Sequence, residues 1–74
     1  MIAANARGLR AKQQRRQVDV AEAGGMSRSV LSFLESGRRR VTIEDLIALC
    51  QGLDCGIRDL LAGADPDDIA RLQL

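Results

Sequence analysis

The apolar positions of this chain recur at intervals of three and four and are broken by short polar or glycine-containing stretches; nowhere do they alternate as a strand requires. Ile2, Ala6 and Leu9 predict an amphipathic first helix from Ile2 to about Gln13, its polar side carrying Arg7, Arg10 and Lys12. A second, short helix is predicted from Gln17 to Ala23, ended by Gly24-Gly25. Ser27 is a natural N-cap for a third, which runs to Ser36 and stops at Gly37. Thr42 caps a fourth, with Glu44 and Asp45 in its first turn where they favour the positive end of the dipole. Its expected stripe is Ile43, Leu46, Ile47, Leu49, Cys50 and Leu53. A fifth helix from about Ile57 to Leu61 contributes Ile57, Leu60 and Leu61. Asp65-Pro66-Asp67-Asp68 reads as one more helix start, with Ile69 and Leu72 sharing a face of the short helix it opens. The expected fold is therefore all-α: a compact five-helix domain over residues 1–64 and a short helical tail over 65–74.

The block from Gln17 to Ser36 has the spacing of a helix-turn-helix. Ala21 is small enough for two helices to cross closely, and Gly25 tolerates the positive φ of a tight turn. Met26, Leu31 and Leu34 would bury the inner face of the third helix. Its outer face begins with Ser27, Arg28, Ser29 and Ser32, hydrogen-bonding groups able to reach into a DNA groove. Phe33 points about 100° away from Leu34 and so cannot share the core with it. That leaves it either packing on thymine methyl groups or covering an edge of the core.

Composition narrows the function classes. Hydrophobic residues make up 46% of the chain, yet Phe33 is its one aromatic residue, so the core must be aliphatic, which suits short packed helices. No run of about 18 apolar residues could cross a membrane, and the N-terminus lacks the apolar stretch of a signal peptide, which together predict a cytoplasmic protein. Cys50 and Cys55 have no histidine or second cysteine pair beside them, so a zinc site is excluded and buried free thiols are expected. Without histidine the serines have no evident base; no catalytic site, cofactor, metal or small-molecule ligand is expected. The net charge of +1 conceals a segregation. Residues 1–40 hold nine Lys/Arg against three acids, a balance of +6, whereas residues 41–74 hold two against seven, a balance of −5. One end suits a polyanion and the other does not.

Several stretches together resemble the phage repressor and Cro-like helix-turn-helix family, the lambda-repressor-like or XRE class. They are Leu9-Arg10, Gln17, Gly25-Met26-Ser27, Leu31-Ser32 with Leu34-Glu35-Ser36-Gly37-Arg38-Arg39, Thr42-Ile43-Glu44 with Leu46, and Ile57-Arg58-Asp59-Leu60-Leu61. The resemblance spans roughly Ala6 to Leu61. Three positions depart from the family pattern: Gln14-Arg15-Arg16 stands where a glycine and an apolar residue are usual, Val41 where proline is common, and Asp54 where glycine is common. The second helix thus lacks a good side-chain cap, while Asp54 tolerates the left-handed backbone such a turn needs.

The resemblance implies a third helix in the major groove and a second helix across the backbone. It makes Arg28 and Ser29 the prime base readers, with Ser32 and Phe33 behind them; Arg28 can bond guanine O6 and N7 together. Phosphate contacts are expected from Gln17, Arg10, Arg15, Arg16, Ser27, Arg38, Arg39 and Arg40. Arg10 and Glu35 match a family ion pair joining the first and third helices. The expected partner is a double-stranded operator with paired half-sites, bound by a homodimer whose contact draws on Ile57, Arg58, Leu61, Ile69 and Leu72. The leading reading is a sequence-specific transcriptional regulator of phage Cro or repressor type. The alternative is an antitoxin-type protein-interaction module in which DNA binding is secondary.

Overall fold

The computed structural model describes residues 1–63. Five helices follow one another: α1 Ile2–Lys12, α2 Gln17–Ala23, α3 Arg28–Ser36, α4 Ile43–Leu53 and α5 Ile57–Leu60. No strand occurs among the described residues. The proposed tail helix lies outside them.

Local chemistry sets each boundary. Ser27 Oγ accepts the Val30 N–H at 3.1 Å and opens α3, and Gly37 closes it in the left-handed region at φ 74°. Thr42 and Asp45 form a reciprocal capping box at the start of α4. Asp54 ends α4 left-handed at φ 51°, as its tolerance of that conformation predicts. Arg16 offers α2 no side-chain cap, also as expected. Gln14 adopts φ 56° and closes α1, with Arg15 N–H donating to Arg10 O and Gln14 N–H to Ala11 O. This Schellman turn halts α1 at Lys12, one residue short of the expected end.

The core joins Ala6 of α1, Val20 and Ala21 of α2, Leu31 and Leu34 of α3, Leu46, Leu49 and Leu53 of α4, and Leu60 of α5. Met26 and Val30 pack against its edge. α2 lies between α3 and α4, and α1 packs across α3, α4 and α5. The α2–α4 crossing is close because both helices present glycine there. A Cβ on Gly52 would fall 2.6 Å from Val20 O, and one on Gly24 would fall 2.6 Å from Ala48 O.

Two apolar expectations fail. Ile43 and Ile47, assigned to the inner stripe of α4, are 61% and 60% exposed. With about 100° between successive residues, Ile47 lies about 100° round from Leu46, and Leu49 and Leu53 centre the buried arc on the other side. Leu61 is the converse case: expected at a dimer contact, it is 3% exposed and belongs to the core. Asn5 Nδ2 donates to Leu60 O at 2.7 Å and to Ala62 O at 2.8 Å, drawing this turn onto α1.

Candidate nucleic-acid interface

The polar face of α3 is available as the sequence predicts. Arg28, Ser29, Ser32 and Phe33 are exposed and line one shallow cleft of about 300 Å³. Phe33 is 54% exposed, so the ring is not a lid on the core and stands among the polar groups of α3. Immediately beside it a second, wider groove of about 590 Å³ is lined by Arg10, Arg16, Gln17, Val18 and Arg28. Arg28 belongs to both walls. The first residue of α3 therefore stands where the cleft on α3 meets the groove between α1 and α2.

Beneath this surface a buried carboxylate fixes the relation of three helices. Glu35 is 3% exposed. Its Oε2 accepts Arg10 Nε at 2.8 Å, and its Oε1 accepts Arg10 Nη2 at 2.9 Å and Gln17 Nε2 at 3.2 Å. The expected ion pair is thus bidentate, and the hydrogen bond to Glu35, acting against partial desolvation, raises the Arg10 pKa above its ordinary value. Arg7 adds a bond from Nη1 to the Glu35 carbonyl at the last turn of α3. Removing either Arg10 or Glu35 would leave its partner's charge without a counterpart.

The arginines expected on DNA, Arg28 on bases and the rest on phosphates, fall into two groups. Among the described residues Arg28, Arg38 and Arg40 have exposed side chains with no ion-pair partner. The others are engaged within the chain. Arg15 donates from Nη1 to Gly52 O at 2.6 Å, and its own carbonyl accepts Arg10 Nη1 at 3.1 Å. The last carbonyls of α4 lack intrahelical partners, so Arg15 serves the helix end instead of standing free over the groove; Gln13 Nε2 does the same for Leu53 O at 2.7 Å. Arg39 grips Asp45, with Nε to Oδ2 and Nη2 to Oδ1 both at 3.2 Å, which binds the basic loop to the start of α4. Arg16 holds Asp19 through Nε at 2.9 Å and Nη2 at 3.1 Å. Ser27 is exposed at the α3 cap, and Gln17 is half-buried at the start of α2.

Val18 and Asp19 were not among the expected site residues. Val18 is an exposed apolar side chain in the groove wall, and the period-3.6 pattern cannot separate such a residue from a core position. Asp19 stands three residues after Arg16, a spacing that marks a possible helical pair and was there to be read. Of the expected dimer residues Ile57 is half-buried against the core and Arg58 is exposed; Ile69 and Leu72 lie outside the described residues. The thiols of Cys50 and Cys55 are free and half-buried. Desolvation first, then the neighbouring Cys50 thiol, pushes Cys55 up to about 11, so it stays protonated at neutral pH. No group of residues able to hold a metal ion occurs among those described.

A five-helix fold with a capped, polar-faced third helix, a basic groove at its start and a Glu–Arg tie beneath defines a class of DNA-binding domain. The chain belongs to the helix-turn-helix family of XRE type, whose profile matches residues 7–60. Its structure is similar to that of the clp gene regulator ClgR from Corynebacterium glutamicum, with a TM-score of 0.75 and 34% identity over 96% of this chain and 84% of that one. It is equally similar to the restriction-modification controller protein C.AhdI from Aeromonas hydrophila, with a TM-score of 0.75 and 29% identity over 80% of this chain and 89% of that one. No curated protein matches the chain significantly. The protein is a helix-turn-helix DNA-binding transcriptional regulator. No helix among the described residues is long and apolar enough to cross a membrane.

Proposed function

We propose that this regulator reads a specific double-stranded operator of paired half-sites as a homodimer, in the manner of a phage Cro or repressor protein. The carrying observation is the cleft of Arg28, Ser29, Ser32 and Phe33 opening directly onto the basic groove of Arg10, Arg16 and Gln17. A base-reading surface and a backbone-binding surface are continuous through one arginine. Arg28, Ser29 and Ser32 supply hydrogen bonds to base edges, Phe33 an apolar contact, and Arg38 and Arg40 phosphate contacts from the loop after α3. The similarity to a controller protein and to a gene regulator supports a regulatory rather than a packaging role on DNA.

One reading helix touches too few base pairs for operator-level specificity, so two subunits must act together. With Leu61 buried, the exposed pair Ile43 and Ile47 on α4, extended by Ile57 and Arg58 on α5, is the surface we assign to the second copy. Ile43 and Ile47 lie on α4, a different helix from the reading helix α3. Selection from a pool of random duplexes tests the reading. The expected enriched sequence contains two inverted copies of a short motif, centred about 10 base pairs apart or a multiple of that. Enrichment of a lone motif would overturn the dimer, and no enrichment at all would overturn sequence-specific reading.

A further inference from the structure

We infer that Asp19 sets the strength of sequence-independent DNA binding by occupying Arg16, the one arginine in the wall of the basic groove that is held by an exposed carboxylate. The inference rests on the DNA-binding reading above.

Arg16 presents Nε and Nη2 side by side, the fork that also fits two phosphate oxygens. Asp19 takes both donors, at 2.9 and 3.1 Å. While that pair is closed, Arg16 and Asp19 together bring no net charge to the groove, and Arg16 cannot grip a phosphate through the same fork. The hydrogen bond from Arg16 holds the Asp19 carboxyl below its usual range, so it remains ionised at neutral pH and keeps competing. The contrast with Arg10 is informative. Arg10 is bound to a carboxylate that is buried, part of the frame joining α1 and α3, whereas Arg16 and Asp19 keep 78% and 42% of their side chains exposed. Exposed pairs of this kind are weak and exchange partners readily. Asp19 therefore acts as an internal substitute for a phosphate, lowering affinity for every sequence and leaving discrimination to the contacts of α3.

The test measures binding to a fluorescein-labelled random-sequence duplex of ~20 base pairs between about 50 and 200 mM salt. Asp19→Asn should bind about 3- to 10-fold more tightly, with the slope of log affinity against log salt steeper by about 0.9, as one added phosphate contact requires. Asp19→Glu retains the charge and the reach, and should behave as wild type. The double variant Asp19→Asn/Arg16→Gln should return to the wild-type slope. Thermal melts accompany each variant. Asp19 also stabilises the first turn of α2, so a merely structural role would lower melting temperature and affinity together, whereas the inference requires affinity to rise. Asp19→Ser serves the same purpose should the asparagine variant fold poorly. An unchanged slope in Asp19→Asn, or a gain that persists in the double variant, overturns the inference. Wild-type protein without any salt-dependent duplex binding would instead overturn the DNA-binding reading itself.

Discussion

Glu35 and Asp45 are the two buried carboxylates among the described residues, and each accepts three hydrogen bonds that fix an arginine in place. They explain why charge alone did not reveal which arginines face outward. Arg10 and Arg39 are held by acids far along the chain or beyond a loop, and Arg15 by a helix end; Arg28 has no such partner and projects from α3. Replacing Arg28 by Ala should cost about 1–3 kcal/mol of specific binding and relax preference at one base position per half-site. An equal loss on all sequences would make Arg28 a phosphate contact. At Asp45 burial opposes ionisation, but the Thr42 N–H, Arg39 and the Thr42 hydroxyl outweigh it and hold the carboxyl below its ordinary value. A lowered value in the folded state means that the ionised group stabilises the fold above the unfolded carboxylate value of about 3.9, and that this contribution fades as pH falls further. Asp45→Asn should lower stability at neutral pH by about 1 kcal/mol and flatten the acid limb of denaturation. A wild-type acid limb in that variant would refute the assignment.

Helices were more legible than their faces. Caps and stops gave α3 and α4 their residue limits because Ser27, Gly37 and Thr42 act within three or four positions. The stripe of α4 was too wide to be decided by period alone. Six apolar residues cover about 160° of the helix, and only the packing of α1, α2 and α5 chooses which arc is buried. Glycines at the α2–α4 crossing were likewise silent, since Gly24 reads as a helix stop and Gly52 as a weak point within a helix. Their role emerges from distance. Gly52→Ala places a methyl group against a backbone carbonyl that cannot swing aside, and should destabilise by about 1–3 kcal/mol in chemical denaturation despite the better helix propensity of alanine. A stabilised variant would mean that the helices can separate at little cost. Gln14 offers the opposite opportunity. It holds a left-handed conformation without being glycine, so Gln14→Gly should raise stability by about 0.5–1 kcal/mol, and an unchanged midpoint would show that the α1–α2 turn carries no such strain.

For the molecule as a whole, the charge segregation read from the sequence can be followed over residues 1–63, which hold four of the seven acids of the acidic half. The basic half supplies the cleft, the groove and the loop after α3; the acidic half begins with the helix whose exposed isoleucines face away from the core. The candidate site was legible in the sequence because its residues lie close together in a capped helix, and α3 brings them onto one exposed face. The proposed subunit contact was legible only in part: Ile57 and Arg58 could be named, but Ile43 and Ile47 could not, because their exposure depends on which apolar residues the core leaves uncovered. Ile47→Glu should leave the melting temperature within a few degrees of wild type, since the residue is 60% exposed, yet abolish cooperative occupancy of a two-half-site operator. Cooperative binding retained by this variant, measured by solution mass and titration on paired and single half-sites, would move the dimer contact elsewhere.

Phe33 carries the only aromatic ring of the chain, with no tyrosine, tryptophan or histidine beside it, and that ring stands half-exposed on the face assigned to DNA. Its ring-carbon signals consequently have no side-chain neighbours with which to be confused. In a heteronuclear spectrum of the phenylalanine-labelled protein, one small set of resonances would report on the groove-facing surface alone, and their displacement during titration would follow occupancy without any introduced probe.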